Sequence, residues 1–205
     1  MNGFLDSLID RYPSLAQCRE QILKAYEIII DCYDNGGKLL CCGNGGSAAD
    51  CDHLVGELMK GFLKKRPLSD DDKKAFSSDL IPLQLQKGLP AISLCAHSAL
   101  MTAFSNDESP DFVFAQQVYC LARENDILVC FSTSGNSENV VYAAETAKAK
   151  GIKVISLTGK NESRLSGISD VCIRLPETET YKIQELTLPV YHCLAAMAEE
   201  HYFEI

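Results

Sequence analysis

The chain has 205 residues, 46% of them apolar, and a net charge of −9. That is enough apolar content for one well-buried α/β domain without requiring a second, and the acidic balance excludes a nucleic-acid surface, because the longest basic group is Lys64-Lys65-Arg66. No apolar run reaches the length of a membrane span. The ten cysteines come without a signal peptide or a CxxC pair, and Cys41, Cys42, Cys130 and Cys172 sit inside apolar runs. They read as reduced, buried small hydrophobes in a cytoplasmic protein.

From Tyr12 to Tyr33 the spacing predicts one long amphipathic helix, with Leu15, Cys18, Ile22, Ala25, Tyr26, Ile29 and Ile30 on one face and Asn35-Gly36-Gly37 as its end. A short apolar strand over 38–42 then runs into Gly43-Asn44-Gly45-Gly46-Ser47 and a helix expected over 47–63 that carries His53 and Glu57. Such a turn makes an anion pocket. Its glycines permit positive φ and close backbone approach, and the unpaired N–H groups of the following helix point into it.

The stretch 64–89 breaks the rhythm, being charged and containing Pro67 and Ser69. It reads as a surface excursion or an active-site lid, with Ser69-Asp70-Asp71-Asp72 able to cap a short helix through Phe76. A strand over 91–94, a helix over 98–122 broken near Pro110 and a strand over 127–131 follow. A second turn of the same kind, Ser132-Thr133-Ser134-Gly135-Asn136-Ser137, opens a helix over 137–150. Strands over 153–157 and 171–174 and a final helix over 181–201, with Pro189 inside it, complete the chain. This alternation implies a doubly wound parallel sheet with ligands at the carboxyl ends of its strands, where both turns fall. The pair of turns suggests one small phosphorylated ligand between them. Ser132, Ser134 and Ser137 offer hydroxyls beside a helix start, enough to hold a phosphate without Arg or Lys; the alternative is an ordinary helix start capped by one serine.

Gly43-Asn44-Gly45-Gly46-Ser47-Ala48-Ala49-Asp50 with His53 and Glu57, the serine turn, and Ile183-Gln184-Glu185 downstream together resemble a sugar isomerase (SIS) domain. More narrowly they are similar to the bacterial phosphoheptose isomerases, which convert sedoheptulose 7-phosphate to D-glycero-D-manno-heptose 7-phosphate. The likeness covers the chain outside the excursion, so a single SIS domain over 1–205 with an insertion at 64–89 is expected. The resemblance implies a flavodoxin-like five-stranded parallel sheet with an extra amino-terminal helix, and a homotetramer with active sites where subunits meet. A tetramer also suits the apolar surface expected on the first and last helices.

The resemblance assigns phosphate binding to Ser132, Thr133, Ser134 and Ser137, and substrate contacts to Asn44, Gly45, Gly46, Ser47, Asn106, Asp107 and Gln184. It makes Glu57 and His192 the base and acid of an enediol route, and in some members zinc is held by His53, Glu57, Gln184 and His192. Helical spacing agrees in part, since His53 and Glu57 are four apart, and Gln184 and His192, eight apart, lie on one side of a helix. Four places depart from the family pattern. Thr187 stands for a histidine, Gly61 in Lys60-Gly61-Phe62 for an arginine, His97 for an aspartate, and Tyr181-Lys182 for an acidic residue. The competing expectation is a non-catalytic SIS protein that binds a sugar phosphate or associates with a replication initiator.

Overall fold

Pro13 decides the shape of the amino terminus. The computed structural model describes residues 2–203. Helix α1 (Asn2–Arg11) stops at Tyr12, whose φ of −131° and ψ of 74° lie outside the helical region, and a 3₁₀ turn (Pro13–Cys18) leads into α2 (Arg19–Asp34). A residue before proline is pushed out of the α region, while proline itself suits a helix start. The single helix expected over 12–33 is therefore a 3₁₀ turn and a helix, and α1 was not anticipated. Leu15, Cys18, Ile22, Ala25, Tyr26 and Ile29 do face the core, joined by Leu5 and Leu8 of α1.

The remaining elements are β1 (Leu39–Gly43), α3 (Gly46–Met59), α4 (Asp70–Lys74), α5 (Ile81–Gln84), β2 (Ala91–Ser93), α6 (Ser98–Asp107) and α7 (Val113–Leu121). They continue with β3 (Ile127–Phe131), α8 (Glu138–Ala149), β4 (Lys153–Thr158), α9 (Arg164–Ile168), β5 (Val171–Arg174) and α10 (Thr180–Tyr202). All five strands are parallel in the order β2-β1-β3-β4-β5, with Leu39 of β1 level with Ala91 on one side and Ile127 on the other. This is the expected flavodoxin-like order, and its switch point lies between β1 and β3, the strands that feed the two turns.

Side chains alternate across the sheet and build two cores. Leu39, Cys41, Val129, Phe131, Ile155 and Leu157 pack against α1, α2, α3 and α10, while Leu40, Cys42, Leu128, Cys130 and Val154 pack against α7 and α8. All ten cysteines are free thiols, and burial pushes those of Cys18 and Cys193 up to about 11 and that of Cys32 to about 12.

One expected boundary shifts, the expected break near Pro110 is present, and one helix is new. The helix expected over 47–63 ends at Met59, because Lys60 is extended (φ −137°, ψ 172°). The helix over 98–122 divides into α6 and α7 around a 3₁₀ turn at Pro110–Phe112, where Ser109 Oγ accepts from the Asp111 N–H. Helix α9 was missed; its Ser163–Ser166 capping box is a weak sequence signal. The excursion carries the anticipated Ser69–Asp72 capping box on α4 and is closed at its base by an antiparallel bridge between Pro67 and Gln86.

Arg66 ties that base to the rest of the molecule. Its Nε donates to Glu199 Oε1 at 2.8 Å with both side chains no more than 1% exposed, and its other nitrogens donate to the carbonyls of Leu58 and Glu57. Glu199 also accepts from the backbone N–H groups of Phe62, Leu63 and Lys64, so all three Arg66 side-chain nitrogens and both Glu199 oxygens are hydrogen-bonded.

Candidate active site

Asp50, His53 and Glu57 occupy one face of α3 at i, i+3 and i+7, and α10 crosses that face with Tyr191 and His192. His53 is the hub. Its Nε2 lies 3.1 Å from Glu57 Oε1 and 3.4 Å from His192 Nε2, and its Nδ1 lies 2.9 Å from the Tyr191 hydroxyl. The Glu57 side chain is 13% exposed and its other oxygen takes Lys60, whose Nζ is 3.2 Å from Oε2. Phe62 packs its ring 5.3 Å from the His192 ring. Burial and the neighbouring His53 hold the His192 imidazole below its ordinary range, with Glu57 opposing. Burial likewise raises the Asp50 carboxyl, against the pull of Tyr191 and His53.

The donor atoms of His53, Glu57 and His192 all fall within 4.8 Å of one another. Ligands on a tetrahedral zinc at about 2.0–2.1 Å lie roughly 3.3 Å apart. The two separations at His53 Nε2 bracket that value, so the three side chains form a cluster that could hold a metal ion. Gln184 stands against the start of α3. A Cβ on Gly46 would come within 2.6 Å of Gln184 Nε2, so the amide packs against the glycine turn.

The two turns sit side by side at the carboxyl ends of β1 and β3. Asn44 and Asn139 exchange a pair of amide hydrogen bonds at 2.8 and 2.9 Å and so join them. Neither following helix has a side-chain cap: the N-cap of α3 is Gly45 (φ 57°) and that of α8 is Ser137, whose Oγ points instead to Ser132 Oγ at 3.2 Å. The ordinary capped start is thereby overturned for Ser137. Ser47 is buried, Ser134 Oγ accepts from the Asn136 N–H, and the Thr133 carbonyl is taken up by the Gly159 N–H.

Some anticipated residues stand apart. Asn106 and Asp107 are exposed at the last turn of α6 and bond to each other at 2.8 Å; among the described residues no hydrogen bond joins them to either turn. Thr187 is buried and its hydroxyl donates to the Ile183 carbonyl, so it faces the core rather than the sugar site. His97 pairs with Gln117 at 2.6 Å. Tyr191, Asp50, Lys60 and Asn139 were missed. Asp50 had a readable signal in its helical spacing from His53 and Glu57, whereas Tyr191 and Asn139 are brought in only by tertiary packing.

A five-stranded parallel sheet of this order, with helices on both faces, is the architecture of a SIS domain. The chain matches the SIS-domain family over residues 4–159 and belongs to it. Over 200 residues it is 36% identical to the phosphoheptose isomerase of Rhodospirillum rubrum, with 98% of this chain and 96% of the relative covered. Solved phosphoheptose isomerases from Francisella tularensis (TM-score 0.75, 30% identity) and Neisseria gonorrhoeae (TM-score 0.73, 28% identity) superpose on it, each with 96% of this chain and 98% of the other covered.

Proposed function

We propose that this chain is an aldose–ketose isomerase that interconverts sedoheptulose 7-phosphate and D-glycero-D-manno-heptose 7-phosphate. The observation that carries the reading is the junction of Glu57 and His192, from two different helices, around His53 and beside two adjacent uncapped helix starts. The relatives named for this activity support it.

The phosphate sits against the serine turn, where Ser132, Thr133, Ser134 and Ser137 and the start of α8 supply donors and positive dipole without a basic side chain. Asn44, Gly45, Gly46, Ser47 and Gln184 line the sugar, with Asn106 and Asp107 assigned to its far end. Glu57 removes the proton from C1 of the ketose, and the electron pair left behind forms the C1–C2 double bond of an enediol as the carbonyl oxygen gains a proton. Return of the proton to C2 and loss of the O1 proton give the aldose. His192 carries the oxygen protons. A zinc ion held by His53, Glu57, His192 and Gln184 would polarise the sugar carbonyl.

We place the assembly as a homotetramer with shared sites. Helix α10 turns most of its apolar face inward, so the surface that supports association lies instead at Met59, Leu63, Leu80, Leu83 and Tyr119, of which Leu83 is 70% exposed. Among the described residues no helix is long and apolar enough to cross a membrane, and the free thiols suit a cytoplasmic setting.

The test is NMR of sedoheptulose 7-phosphate with the purified protein in deuterated water, with and without zinc. An aldose product carrying deuterium at C2 is expected. A phosphate-dependent interaction without turnover would overturn the reading in favour of a non-catalytic SIS protein.

A further inference from the structure

Tyr191 has no place in the reaction as written, yet it meets the hub of the site. Its side chain is 1% exposed, and its ring is fixed edge-on to Phe131 at 6.0 Å and to His53 at 5.6 Å. Its hydroxyl lies 2.9 Å from His53 Nδ1 and also interacts with the half-buried carboxylate of Asp50. As a phenol, its hydroxyl can both donate and accept a hydrogen bond.

That dual capacity matters because His53 needs opposite tautomers in two states. Without a cation, the Glu57 carboxylate 3.1 Å from Nε2 accepts only, so the ring hydrogen belongs on Nε2 and Nδ1 must receive one. A cation on Nε2 needs its lone pair, which moves the ring hydrogen to Nδ1 and demands an acceptor there. A carbonyl or a carboxylate could serve only the second state. A hydroxyl serves both, provided a further acceptor can take its hydrogen in the second, and Asp50 is that acceptor.

We propose that Tyr191, backed by Asp50, is a positioning residue that selects the tautomer of His53 and reverses its hydrogen bond when a divalent cation takes Nε2. Before binding, Tyr191 O–H donates to Nδ1. After binding, Nδ1–H donates to the Tyr191 oxygen and the phenolic hydrogen turns to Asp50. The second half rests on the reading of His53 as a zinc ligand; the first does not.

The experiment is long-range ¹H–¹⁵N NMR of histidine-labelled protein, which distinguishes Nδ1–H from Nε2–H rings, on the parent, Tyr191→Phe and Asp50→Ala, each zinc-free and zinc-loaded. Zinc affinity is read in parallel by competition with a chromophoric chelator. The parent is expected to hold His53 as Nε2–H without zinc and as Nδ1–H with it. Tyr191→Phe is expected to mix the tautomers and to weaken zinc by about tenfold to a hundredfold, the usual effect of removing an outer partner of a ligating histidine. Asp50→Ala, which leaves the core packing of Tyr191 in place, is expected to weaken zinc while preserving the zinc-free tautomer. Unchanged tautomer and affinity in both variants, or an Nδ1–H ring in the zinc-free parent, would overturn the proposal. A parent that takes up no zinc would overturn the reversal together with the metal reading, and the zinc-free spectra would still decide the first half. None of these readouts requires turnover, so a missing isomerase activity is a separate result.

Discussion

Glu57 stands between two nitrogen groups, His53 on one oxygen and Lys60 on the other, with its side chain largely withdrawn from water. Those contacts orient the side chain into the cluster, the geometry a base for carbon acids requires. Glu57→Gln keeps the size and a hydrogen-bonding oxygen while removing the base. Turnover measured by the NMR assay is expected to fall by about 10²–10⁴-fold, the usual worth of a positioned general base. Circular dichroism should remain that of the parent; a variant that isomerises at the parent's rate would remove Glu57 from the chemistry.

The elements that present Glu57 depend on a contact outside the cluster. Arg66 fastens the last turn of α3 through the Leu58 and Glu57 carbonyls and the last helix through Glu199, so three segments share one buried ion pair. Arg66→Met leaves Glu199 without its cation and is expected to cost about 3–5 kcal/mol, the range for breaking a buried pair from one side. Urea titration reads that loss, and an unchanged midpoint would contradict the role given to the pair. Burial raises the Glu199 carboxyl, but the N–H groups of Phe62 and Leu63 together with Arg66 outweigh it, and the group sits below its ordinary range. The unfolded chain therefore binds this proton more readily than the folded one. The stabilisation from Glu199 is complete above the unfolded glutamate value of about 4.3 and is lost as the pH falls through the lower folded value. Glu199→Gln should flatten the stability–pH curve in that acid window, and an equally steep curve would show that other carboxylates govern it.

At the scale of the whole molecule, the single chain leaves Met59, Leu63, Leu80, Ile81, Leu83 and Leu85 exposed around the end of α3 and the excursion. A tetramer is the assembly proposed to cover such surface, and light scattering at micromolar protein is expected to return about four chain masses. A monomer with full turnover would show that the site needs no partner. The free thiols and the two cores, one on each face of the sheet, belong to the chain itself and stand apart from that question.

Much of this was legible along the chain because it depends on neighbours in sequence. The five strands, both turns at their carboxyl ends and the pairing of His53 with Glu57 follow from apolar runs, glycines and a four-residue helical step. The break at Pro13 was also local, but it lay hidden under an apolar periodicity that continues through the 3₁₀ turn. Tertiary structure alone decided the rest. It seats Tyr191 on Nδ1 and His192 on Nε2 of the same imidazole, sets Gln184 over Gly46, joins Asn44 to Asn139, and turns Thr187 into the core. These contacts unite residues from about 95 to 139 positions apart, or fix which side of α10 is buried. No local spacing encodes them, because they arise only when the helices close over the switch point of a parallel sheet.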